Sequence, residues 1–368
     1  MKKIRILTFW NVPNYGSFMQ AYALQRIIES RYEGCDVKQL SHLHQKHYDT
    51  YYSDAIGQYA HRYVNPRFYK ALLSHKNRVK EVAITRKFLE YYKTIPHEPY
   101  ETERTARDEP YDLLILGSDI IWDYTIGFFG EDPYLFGLGI DAKKKISYAP
   151  SFGTVTDGSS APEYVKTGLN QLAAISVRDE KSRKLVKEIS GKDATVVLDP
   201  TLMWDFNSDD HIVTPGIDHY IIVYGSFFTE ELICGARKYA AEHGLKLICL
   251  SSLSDRYDWC DQNIDQDQLN PFEWVGYFKY ADAVMTCTYH GLMFSLIFKK
   301  RIIFHMTDFI MEKASSLADS LGLREVLVEY RDFNSKINWN WDYQEIDTRL
   351  EALKADSLSF LDEAITNG

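Results

Sequence analysis

The chain has 368 residues, enough for two domains that each bury a core of their own. With 45% hydrophobic and 26% charged residues, it reads as an ordinary globular protein, neither fibrous nor wholly disordered. Its formal net charge of −10 leaves no overall positive field to collect nucleic acid, so no such partner is expected.

Met1-Lys2-Lys3 followed by the apolar run 4–10 imitates a signal peptide, but the run stops at Asn11-Val12-Pro13-Asn14. No apolar stretch approaches the ~20 residues that span a bilayer. Five cysteines (Cys35, Cys234, Cys249, Cys260, Cys287) form no C-x-x-C pair, which suits a reducing compartment better than a disulfide framework or a zinc site. A soluble, cytoplasmic protein without a bound metal or cofactor is expected.

Short Ile-, Leu- and Val-rich runs alternate with helical patterns, as strands buried on both faces of a parallel sheet do. In chain order the pattern predicts strands at 4–9, 113–116, 145–149, 174–177 and 194–198, with helices at 17–32, 162–172 and 179–189. A second series follows, with strands at 219–224, 245–250, 283–286 and 301–304 and helices at 228–243, 271–279 and 290–298. The helix after Asn270 is marked by a capping box, with Pro271 first and Glu273 third. Turn-rich residues 204–210 separate the two series. Segment 343–365 carries Ile346, Leu350, Leu353 and Leu361 at helical spacing, an amphipathic helix that needs a surface to cover.

This pattern reads as α/β with two Rossmann-like domains, 1–205 and 206–330, and a C-terminal tail and helix over 331–368. Residues 42–108 interrupt the first domain as a Tyr-rich, helical insertion. Within 60–93, nine Lys or Arg stand against two acids, Glu81 and Glu90. This stretch is either a solvated helix pair or a basic face for peripheral contact with the inner face of an anionic membrane.

Ligands of open parallel sheets bind at the carboxyl ends of the strands. After the first strand, Asn14 and Ser17 open a helix whose free N–H groups suit a phosphate or carboxylate, unless they serve as ordinary caps. After 113–116 come Gly117-Ser118-Asp119-Ile120-Ile121-Trp122. Ser118 and Trp122 suit a sugar, with Asp119 as general base; the bland alternative makes Asp119 a helix cap and Trp122 core. Arg178 follows a buried strand, where a guanidinium needs an anion, either Asp179 or Glu180 or an incoming ligand. His290 begins an apolar helix after Cys287-Thr288-Tyr289, where a neutral imidazole can donate to a developing oxyanion or, when paired with an incoming anion, become protonated.

Two patterns are dismissed. Asp261 to Asp267 begins like a calcium loop but has Gln266 where glycine is required, and reads as a solvated acidic loop. His42, His44 and His47 lack the partners that specify a metal.

Taken in order, Asn14-Tyr15-Gly16-Ser17, Gly117-Ser118-Asp119-Ile120-Ile121-Trp122, Ser147 to Gly153, Ser176 to Ser182, Leu198-Asp199-Pro200-Thr201-Leu202 and Tyr289-His290-Gly291 resemble the motifs of the polysaccharide pyruvyl transferase family. The resemblance covers residues 3–330. It implies two Rossmann-like domains facing a cleft, as in the glycosyltransferase B architecture. It also implies transfer of pyruvate from phosphoenolpyruvate to two hydroxyls of a sugar, free or on a lipid-linked oligosaccharide, giving a cyclic ketal. Carried over by motif, Arg178 and His290 bind the donor, His290 and Asp119 are the catalytic candidates, and Asn14, Ser17, Ser118 and Trp122 contact substrate. One departure stands out: Thr288 occupies the position of a family arginine, a loss of charge for which Lys299, Lys300 or Arg301 is the possible substitute. Two other readings stay open, a nucleotide-sugar-dependent glycosyltransferase and a catalytically silent glycan- or lipid-phosphate-binding subunit.

Overall fold

The computed structural model describes residues 1–52, 85, 87–99, 109–251, 256–265 and 268–366. Most of the basic stretch 60–93, read as a solvated helix pair or a face for membrane contact, lies outside the described residues.

The buried apolar runs form two parallel sheets. In the first lobe, β1 (Lys3–Leu7), β2 (Asp36–Gln39), β3 (Leu113–Leu116) and β4 (Lys145–Ser147) take the order β2-β1-β3-β4. Every pairing is parallel, with Ile6 opposite both Gln39 and Ile115. A bridge from Ile146 to Ala174 leads on to the short pair β5 (Ser176–Val177) and β6 (Thr195–Val196). In the second lobe, β7 (Tyr220–Tyr224), β8 (Lys246–Ser251), β9 (Gln262–Asp265), β10 (Ala283–Thr286) and β11 (Arg301–Phe304) take the order β11-β10-β7-β8-β9, again parallel throughout. The chain leaves in opposite directions from β1 and β3, and from β7 and β10. These are the switch points at which doubly wound sheets open a crevice.

Some expectations are corrected. The run 145–149 ends early as a strand because Ala149 turns to a φ of 55°. The acidic stretch 261–267 is not wholly a loop: Gln262–Asp265 is an edge strand, with Ile264 as its buried residue. An edge strand pairs on one side only, so a single apolar contact suffices to anchor it, and periodicity gives little sign of it.

The C-terminal helix Tyr343–Thr366 covers both lobes. Ile346 and Leu350 pack with Leu296 and Phe304 of the second lobe, whereas Leu361, Ala364 and Ile365 join Ile4, Ile6 and Leu24 of the first. Lys2 Nζ donates to the Ile365 carbonyl at 2.9 Å, and Arg31 pairs with Asp362 at 2.6 Å. Helix Tyr15–Arg31 also reaches across, as the Tyr15 ring stacks on Trp274 and its hydroxyl donates to the Leu269 carbonyl at 3.1 Å. Among the described residues no helix is long and apolar enough to cross a membrane.

Candidate active site

A cleft of about 700 Å³ lies between the lobes, lined from the loops after β1, β3, β7 and β10. The first of these loops is set by a cap. Asn14 accepts from the Ser17 N–H at 3.1 Å and starts helix Tyr15–Arg31, satisfying one of its free donors. Ser17 then donates its hydroxyl to Asp119 Oδ2 at 2.6 Å. Asp119 sits in the left-handed region with a φ of 73°, a conformation that aspartate tolerates better than most residues, and its Oδ1 accepts from the Ile120 N–H at 2.7 Å. Asn14, Ser17 and Asp119 thus share one wall of the cleft.

Gly16 lies between Asn14 and Ser17 for a steric reason. A Cβ at this position would overlap Nδ1 of the His290 imidazole, which comes from the opposite lobe. His290 stands in helix Tyr289–Ile297, and the Thr288 hydroxyl caps that helix by accepting from the Gly291 N–H at 3.0 Å. The residue in the family arginine's position is therefore a neutral cap. None of its three suggested substitutes lines the cleft: Lys299 pairs with Asp347, and Arg301 donates to the Ile337 carbonyl.

Arg178 has a definite anion, and it is neither Asp179 nor Glu180. Its Nη1 donates to Asp199 Oδ2 at 2.9 Å, with side chains 3% and 0% exposed. The same oxygen lies 3.8 Å from His290 Nε2. The other Asp199 oxygen accepts from the Thr201 N–H at 3.0 Å and the Thr201 hydroxyl at 2.7 Å. Asp179 is occupied elsewhere, accepting from Ser182 N–H and the Ser151 hydroxyl as the cap of helix Glu180–Ser190. Glu180 pairs with Arg183. The Arg178 guanidinium also lies 4.5 Å over the Tyr289 ring, and its Nε is buried without a hydrogen-bond partner. Burial alone would disfavour both charges. For Asp199, the nearby His290 and Arg178 outweigh burial and hold the carboxyl below its ordinary range. For Arg178, the Tyr289 phenol and the carboxylates of Asp199 and Asp119 outweigh it in turn, and the cation is held more firmly than usual.

Two expected substrate contacts do not reach the cleft. Trp122 is 0% exposed, stacks on Phe136 at 5.7 Å and donates its indole N–H to the Leu135 carbonyl, so it belongs to the core. Ser118 is fully buried and donates to the Ala149 carbonyl at 3.0 Å, tying β3 to the chain beyond β4. The small residue before Asp119 braces the loop, and the large one after it packs underneath. Asp199, in the motif Leu198-Asp199-Pro200-Thr201-Leu202, also caps the short helix Pro200–Met203, and an Asp-Pro pair carries no sign in sequence of a second role toward Arg178. The aromatic residues of the cleft, from 47–51 and 128–129, belong to no motif.

The sequence profile of the family described as polysaccharide pyruvyl transferase matches residues 14–304. No curated protein matches the chain in sequence. Among solved structures, a Listeria monocytogenes protein assigned as a UDP-N-acetylglucosamine 2-epimerase superposes with a TM-score of 0.51 at 10% identity, covering 100% of this chain and 97% of that one. The UDP-GlcNAc 2-epimerase of Neisseria meningitidis bound to UDP-GlcNAc superposes with a TM-score of 0.50 at 10% identity, with both chains fully covered. At such identity the likeness is one of fold, and it agrees with two Rossmann-like lobes of the glycosyltransferase B type facing a cleft. With four-fifths of its length inside the matched profile, the chain belongs to the polysaccharide pyruvyl transferase family.

Proposed function

We propose that this protein transfers pyruvate from phosphoenolpyruvate to two hydroxyls of one sugar in a polysaccharide precursor, forming a cyclic ketal and releasing phosphate. The observation that carries the reading is the arrangement of Arg178 and His290 around the single buried carboxylate of Asp199, facing the Ser17–Asp119 pair within one cleft. A guanidinium fork with one nitrogen unengaged suits the carboxylate or phosphate of a small dianionic metabolite.

In this reading His290, when protonated, delivers a proton to the methylene carbon of phosphoenolpyruvate and leaves an oxocarbenium-like centre at the next carbon. The first sugar hydroxyl forms its C–O bond there as Asp119 takes the hydroxyl proton. The C–O bond to phosphate then breaks, and the second hydroxyl closes the ring. Of the two protons released from the sugar, one balances the new methyl group and the other leaves on hydrogen phosphate. Asp199 acts as a positioning residue that orients both donor-binding side chains.

The test is a thermal-shift panel of phosphoenolpyruvate against uridine nucleotide-sugars. Phosphoenolpyruvate is expected to raise the melting temperature, and Arg178→Lys and His290→Ala to remove that rise. Stabilisation by nucleotide-sugars alone would favour the glycosyltransferase reading, which the neutral Thr288 at the cleft keeps in view. Binding of phosphoenolpyruvate without phosphate release for any sugar would favour a silent binding subunit.

A further inference from the structure

We infer that Tyr289 is a positioning residue of the donor site, whose ring fixes the orientation of the Arg178 guanidinium. This role rests on the transferase reading above and adds a residue to which that reading gives no part. Arg178 follows β5 of the first lobe, whereas Tyr289 opens helix Tyr289–Ile297 of the second, and the guanidinium carbon lies 4.5 Å over the centre of the ring. The contact therefore joins the lobes at the cleft that both residues line.

A planar fork must be held both along its hydrogen bonds and across its plane before it can receive an anion by two nitrogens. Nη1 provides the first restraint through Asp199 Oδ2 at 2.9 Å, but Nε has no hydrogen-bond partner. A single hydrogen bond leaves the plane free to turn about it. The ring supplies the missing restraint, because a cation over an aromatic face is attracted by the ring quadrupole, most strongly where water is excluded. Both groups are enclosed, with the Arg178 side chain 3% and Tyr289 8% exposed. Burial raises the pKa of the phenol, and Arg178 opposes this without reversing it. The guanidinium is therefore drawn to a neutral ring and not to a phenolate.

The same ring meets the His290 imidazole edge-on at 5.4 Å. Arg178 and His290 thus share an aromatic neighbour as well as the Asp199 carboxylate. A second hollow, of about 70 Å³, is lined by Arg178, Tyr289 and Asp199 together with Leu317 and Leu353 of the helices beyond. Without the ring, the guanidinium would be free to swing toward this hollow and away from the donor.

Two measurements test this. In nitrogen-edited NMR, the buried Arg178 Nε–H should give a resonance displaced by the ring current of Tyr289 and identified by its loss in Arg178→Lys. Tyr289→Phe should keep that resonance in place. Tyr289→Leu should move it, as should Tyr289→Met if the leucine variant does not fold. In thermal-shift titrations, the phosphoenolpyruvate concentration at half of the maximal shift should rise about tenfold in the ringless variant and return to within about threefold of the unaltered protein's in Tyr289→Phe. A ring with a merely structural role would lower the ligand-free melting temperature and leave that concentration unchanged. The assignment is overturned if the ringless variant leaves the resonance in place, if it binds phosphoenolpyruvate as tightly as the unaltered protein, or if Tyr289→Phe fares as poorly as the ringless variant. Absence of any phosphoenolpyruvate response in the unaltered protein would overturn the donor reading instead. The resonance would then decide the place of Tyr289 by itself, upholding it by moving in the ringless variant and overturning it by staying.

Discussion

The two sides of the cleft are held by different forces. On the charged side, Arg178 and Asp199 are almost wholly enclosed, and every oxygen of the carboxylate has at least one donor. On the aromatic side, His47 and its neighbouring rings pack through faces and edges, and Phe128 remains two-fifths exposed. Enclosed charges need directional partners, because an unpaired one is costly at low dielectric. Ring packing is non-directional and permits substitution of like for like. The charged side is therefore expected to be brittle and the aromatic side tolerant.

The largest effect should come from Asp199→Ala, which leaves the Arg178 guanidinium enclosed without its carboxylate. A loss of about 3–5 kcal/mol is expected in denaturant unfolding, together with loss of any stabilisation by phosphoenolpyruvate. A cost below that of Phe128→Ala would break the comparison. Next comes Gly16→Ala. The added methyl would overlap the His290 imidazole, so the ring must move, at about 1–3 kcal/mol. Phosphate release should fall at least tenfold while circular dichroism stays native. Unchanged turnover would mean that the place of His290 against Gly16 has no bearing on the chemistry.

The acid limb of stability offers a subtler probe. Although burial opposes it, the ordinary pKa of Asp199 is depressed in the fold by His290, Arg178 and the Thr201 donors. A depressed carboxyl contributes stability above its unfolded pKa and loses it as pH falls through the folded value. Arg178→Gln removes one depressing charge and raises that folded value. Acid unfolding of the variant, followed by circular dichroism, should therefore begin at higher pH than in the unaltered protein.

This contrast also explains what could be read from the sequence. The two strand series were legible as short apolar runs buried on both faces, the helix at Pro271 by its capping box, and the C-terminal helix by the apolar stripe at helical spacing. The charged side was legible in part: Arg178 after a buried strand demanded an anion, and a short motif contained Asp199. Which acid answered the demand was not legible, since Asp179 and Glu180 are nearer in sequence and only the fold brings Asp199 to Nη1. The place of Trp122 in the core was not legible, because a tryptophan beside a loop carboxylate reads equally well as a platform and as core. The aromatic wall of the cleft left no sign, as its members come from separate segments and share no spacing.

The smallest predicted change gives the sharpest comparison, because it sets two substitutions of similar size against each other. Asp199→Asn replaces one oxygen by an amide, and Phe128→Tyr adds one hydroxyl. At position 199 the exchange removes the charge that faces Arg178 and places an amide donor group where the carboxylate now only accepts. At position 128 the ring already opens to the cleft, so an added hydroxyl can remain hydrated. Phe128→Tyr should then lie within about 0.5 kcal/mol of the unaltered protein in a urea titration. Asp199→Asn should shift the midpoint several times further, with the slope unchanged if both native states are intact. Equal midpoints would mean that the two sides of the cleft are held no differently.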